Sequence, residues 1–69
     1  MGSIFGVLEW AKREGEVKAI ARIRMRVLGD SVKEGVRLGD VKPDTRCSPQ
    51  LLNKIRAAAS EIVGKPCPV

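Results

Sequence analysis

From Val17 to Val27 every odd position is apolar (Val17, Ala19, Ala21, Ile23, Met25 and Val27), while four of the even positions from 18 to 28 are basic (Lys18, Arg22, Arg24 and Arg26), Ile20 and Leu28 being the exceptions. Strict alternation is the period of a strand with one buried and one solvated face. On a helical wheel the same apolar residues scatter, and Arg24 falls among them. Their centre also lies nearly opposite the apolar face of residues 4–11, so one straight helix over 4–28 would have to bury both sides. The pattern therefore predicts a strand over 17–28. Gly29-Asp30 reads as a turn dipeptide, Gly35 tolerates a positive φ, and Val36-Arg37-Leu38 alternates again, which predicts a second strand over 36–42. The competing reading is helical, because Ala, Met, Arg and Lys are good helix formers. A short helix over 31–38, capped by Asp30, would carry Gly35 inside it at about 1 kcal/mol.

Two helices flank this stretch. Ser3 is a candidate N-cap for a helix over 4–14, with Ile4, Phe5, Val7, Leu8 and Ala11 on one face, Trp10 at its edge and Gly15 as its stop. Residues 43–48 read as a connector, with Gly39, Pro43 and Pro49 barring continuous helix. Over 49–63 the apolar residues Leu51, Leu52, Ile55, Ala58, Ala59, Ile62 and Val63 follow the spacing of one buried helical face. Ser48 suits its N-cap, Pro49 its first turn and Gly64 its C-terminal cap, with 64–69 left as a tail. The expected fold is thus α+β, a single small domain over 1–69 made of helix, two-stranded β-hairpin and amphipathic helix. The alternative is all-α. A lone hairpin has two open edges, which would call for partner strands.

The run Val27, Gly29-Asp30, Val32, Gly35, Leu38-Gly39, Val41 resembles the strand–turn–strand of barrel-sandwich domains of the lipoyl and biotinyl kind. The resemblance implies a hairpin geometry over about 16 of the 69 residues. The modified lysine flanked by methionines, which biotin carriers require, is missing, so no functional residue is carried over.

Sixty-nine residues make at most one domain, and a chain of that size buries only about 60% of its unfolded surface. Support from an oligomer or a larger assembly is therefore expected. The formal charge of +5 is concentrated in 17–42, where seven bases face three acids. Such a surface favours polyanions or acidic protein faces.

The missing residue types narrow the chemistry. There is no histidine and there are only two cysteines, so neither a His-based nucleophile pair nor a four-ligand zinc site is expected. Neither a Gly-x-x-x-x-Gly-Lys-Ser/Thr nor a Gly-x-Gly-x-x-Gly run occurs. We expect no catalytic residues, no metal, no cofactor and no small-molecule substrate. Asp30, Glu34, Asp40 and Asp44 are assigned to turns and solvation. Cys47 and Cys67 flank a helix about 24 Å long, too far apart to bridge within a chain whose helix is straight. No apolar run is long enough to span a membrane and no secretory signal pattern is present, so a cytoplasmic or intracellular site is expected.

On a strand, Arg22, Arg24 and Arg26 would stand on one face about 6.5–7 Å apart, near the spacing of phosphates along a nucleic-acid strand, with Lys18 extending the row. These four are the candidate polyanion-binding residues. Phe5, Leu8, Trp10, Leu52, Ile55 and Ala59 are the candidate partner interface. The leading expectation is a non-enzymatic structural or accessory subunit of a larger assembly, such as a virion or another multi-subunit particle, whose Arg face meets a polyanion or an acidic neighbour. One alternative is a dimeric nucleic-acid-binding protein that contacts the phosphate backbone. A second is a membrane-surface protein that uses the amphipathic helix 4–14.

Overall fold

The structure, a computed structural model, describes residues 3–15 and 17–69 and contains no strand among them. The expected α+β fold and its β-hairpin are therefore corrected to all-α. The elements are α1 (Ile4–Glu14), α2 (Lys18–Arg26), α3 (Leu28–Glu34), a 3₁₀ turn (Leu38–Asp40) and α4 (Pro49–Val63).

The alternation that predicted a strand is two interleaved helical stripes. Ala19, Ile23 and Val27 recur at i, i+4 and i+8 and are buried, while Val17, Ala21 and Met25 recur at the same spacing and are exposed. Residues two apart on a helix lie about 200° apart, so apolar side chains at every second position fall on opposite faces. One face of α2 packs on α1 and α4, and the other faces solvent.

The likeness to barrel-sandwich domains falls with the hairpin. Gly29-Asp30 lie in the first turn of α3, and Leu38-Gly39 in the 3₁₀ turn. Gly35 does take a positive φ, +71°, but as the left-handed cap of α3 rather than in a hairpin loop. The helical run bends at Val27, where φ −114° and ψ 18° leave the helical region. Hydrogen bonds still cross the bend, from Val27 N–H to the Ile23 carbonyl (3.2 Å) and from Ser31 N–H to the Val27 carbonyl (2.8 Å).

The two flanking helices have local signals that agree with their packing. The Ser3 hydroxyl accepts from Gly6 N–H at 3.1 Å at the start of α1. Gly15 ends it at a close approach, where a Cβ would lie 2.9 Å from the Ala11 carbonyl oxygen. The Ser48 hydroxyl accepts from Leu51 N–H at the start of α4, Pro49 opens the helix, and Gly64 caps it at φ +83°.

α1, α2 and α4 pack against one another around a single apolar cluster. α1 supplies Ile4, Val7, Leu8, Trp10 and Ala11, and α2 with its bend supplies Ala19, Ile23 and Val27. α4 supplies Leu51, Ile55, Ala58 and Ala59, and Leu38 closes the cluster from the 3₁₀ turn. The radius of gyration is 10.4 Å, close to the roughly 11 Å of a compact chain of this length.

Candidate interaction surface

The structure separates the residues that a strand would have aligned. Lys18, Arg22 and Arg26 follow i, i+4 spacing along one flank of α2. Arg24 lies on the opposite flank, where its guanidinium comes within 3.2 Å of the place a Gly39 Cβ would occupy. The evenly spaced arginine row read as a phosphate ladder is therefore not formed. Arg26 is also engaged, donating to Glu61 of α4 at 2.9 Å. That contact raises the Arg26 pKa and holds the Glu61 carboxyl below its ordinary value, through the hydrogen bond first and the charge second.

The proposed partner-interface residues are likewise divided. Leu8, Trp10, Ile55 and Ala59 are buried in the core of the chain itself, and Phe5 and Leu52 are half-buried. Leu8, Trp10, Ile55 and Ala59 belong to the core cluster and Leu52 packs against it, while Phe5 and Leu52 keep part of their surface open. On the apolar face of α1, Trp10 is only 5% exposed.

What lies open instead is the outer face of α2 and α3. Val17, Met25, Leu28 and Val32 are 74%, 77%, 52% and 69% exposed, and Ala21 is exposed between them. Leu28 and Val32 form an i, i+4 pair on α3, and Leu28 follows Met25 by three residues, just beyond the bend at Val27. Beside them an open groove of about 590 Å³ separates α2 from α4, lined by Arg22, Met25, Arg26, Glu61 and Ile62. On the other side of the Arg26–Glu61 pair a second, open depression is lined by Val27, Asp30, Lys54, Ala57 and Ala58.

Charge is sorted across this surface. The acids of α3 are turned toward α4: Asp30 pairs with Lys54 at 3.0 Å. Glu34 accepts from the Ser48 backbone N–H at 3.0 Å and from the Ser48 hydroxyl at 2.6 Å. Lys18, Arg22, Arg24 and Lys33 form no ion pair with a described residue. An exposed apolar stripe is thus fringed by bases that have no ion pair among the described residues.

Sequence reasoning missed this stripe because it counted Val17, Ala21 and Met25 as core. The usable signal was their 100°-per-residue separation from Ala19, Ile23 and Val27. It also missed the Glu34 clamp on the α4 N-cap, which joins residues 14 positions apart.

Among the described residues, no group of three or more His, Cys, Asp or Glu side chains could hold a metal ion. Cys47 and Cys67 are free and half-buried. Burial, then the Glu34 carboxylate, push the Cys47 thiol above its ordinary pKa, which favours the unreactive protonated form. No helix among the described residues is long and apolar enough to cross a membrane. Comparison with protein-family models, with curated proteins and with solved structures finds no match.

Proposed function

We propose that this chain is a non-enzymatic accessory subunit that docks into a larger assembly through the outer face of α2 and α3, against an acidic neighbour. The observation that carries the reading is the stripe Val17, Ala21, Met25, Leu28 and Val32, left exposed while the acids of α3 are tied to α4. Contiguous exposed apolar surface rimmed by polar residues marks interaction sites. An exposed Met at its centre suits such a surface, because its flexible thioether adapts to irregular partners. The core is closed by the chain's own helices, so the partner is held on the outside and does not complete the fold.

The reading is tested by site-specific photo-crosslinking. A crosslinker at Met25 and another at Gln50, which is exposed at the start of α4, are introduced separately and activated in the source cells. A discrete protein adduct from position 25 and none from position 50 is the expected result. Adducts to nucleic acid or lipid at position 25, or no adduct there, would remove the proposal.

A further inference from the structure

We infer that the occupant of this face is an acidic amphipathic helix of a partner protein, laid along α2 and α3. The inference rests on the docking reading above and adds the chemistry of what docks. The exposed stripe has helical spacing, so it offers an apolar seam, which is how an amphipathic helix is received. Lys18 and Arg22 border the seam on one side, one turn or about 6 Å of rise apart, and Arg24 borders it on the other. A partner helix with apolar residues at i, i+3, i+4 and i+7, and carboxylates at i, i+4 beside them, would match both the apolar stripe and its fringe.

Other occupants fit less well. A second copy would bring Lys18, Arg22, Arg24 and Lys33 against the same residues, and like charges across an interface are strongly disfavoured. An anionic bilayer favours aromatic side chains at the headgroup level. The aromatic residues of this chain, Phe5 and Trp10, both lie on α1, where Trp10 is buried. A nucleic-acid backbone would gain nothing from the apolar seam, and the arginines are not aligned to follow it.

The test uses the folded, isotope-labelled chain and a synthetic helix of roughly 18 residues with a Leu seam flanked by Glu at i, i+4. A scrambled peptide of the same composition, vesicles containing phosphatidylserine, and a single-stranded oligonucleotide serve as the comparison probes. The expected result is saturable movement of the Ala21, Met25, Leu28 and Val32 amide signals with the patterned peptide alone. The double variant Met25→Gln/Val32→Gln is expected to weaken binding at least about tenfold, and Arg22→Gln/Arg24→Gln about threefold with a flatter salt dependence. Gln50→Ala leaves binding unchanged, and thermal melts confirm that every variant is folded.

Equal binding of the scrambled peptide, or binding unaffected by Met25→Gln/Val32→Gln, would overturn the inference. So would movement of the same signals by vesicles, by the oligonucleotide, or on concentrating the chain alone. If the patterned peptide does not bind while position 25 still crosslinks to a protein, the helical occupant is wrong and the docking reading stands. If position 25 gives no protein adduct, the docking reading itself fails.

Discussion

Glu34 shows how one side chain can tie two elements together. Its carboxylate takes both the N–H and the hydroxyl of Ser48, while the same hydroxyl oxygen accepts from Leu51 N–H. These two hydrogen bonds, the side-chain one first, hold the Glu34 carboxyl below its ordinary 4.5. A carboxyl whose folded pKa is depressed contributes its full stabilisation above the unfolded pKa and loses it as pH falls through the folded value. The Glu34→Gln variant should therefore melt below the parent at neutral pH, and the two curves should converge as the pH drops below 4.5. A gap independent of pH would show that the carboxylate clamp is not formed in solution. Gly29 makes the opposite point. It lies inside α3 without a positive φ, and a Cβ there would meet nothing within 4 Å. Gly29→Ala should stabilise by about 0.5–1 kcal/mol in denaturant unfolding. A hairpin turn with a left-handed Gly29 would respond with a loss instead.

At the level of the element, α2 is the critical case, because its sequence satisfies two periods at once. Ile23 and Met25 would share a face on a strand. On α2 one is 0% and the other 77% exposed. Ile23→Ala should cost about 2–5 kcal/mol by opening a cavity, and Met25→Ala should stay within about 0.5 kcal/mol. Similar losses from both in urea titrations would restore the strand. The helices α1 and α4 were legible from sequence to the residue at their starts, because Ser3, Ser48 and Pro49 act locally and their apolar spacing has one solution. The bend at Val27 and the start of α3 were not, because neither Val27 nor Leu28 carries a local capping signal.

For the whole molecule, the closed cluster between α1, α2 and α4 changes the expected part played by a partner. A hairpin with open edges would need other strands to complete it, whereas these helices enclose a shared apolar cluster of their own. The isolated chain should therefore sediment as a 7.5 kDa monomer and unfold in one cooperative transition. A broad, concentration-dependent melt would mean that the core is finished by another chain. The net charge of +5 works in the same direction, since self-repulsion opposes association between copies.

The sequence by itself determined the two flanking helices with their caps, the absence of histidine chemistry and the concentration of positive charge in 17–42. Each of these depends on residues close together in the chain or on composition alone. Only the tertiary structure decided that Lys18–Arg26 and Leu28–Glu34 are helical. Alternating apolar residues fit a strand by period and a helix by propensity, and α1 with α4 settles the matter by offering a groove that takes Ala19, Ile23 and Val27 together. The same choice left Val17, Ala21 and Met25 outside, moved Arg24 away from Arg22 and Arg26, and placed Leu8, Trp10, Ile55 and Ala59 in the core. Which apolar residues build this protein and which face outward is fixed by the partner helix each one meets, and a linear pattern does not contain that information.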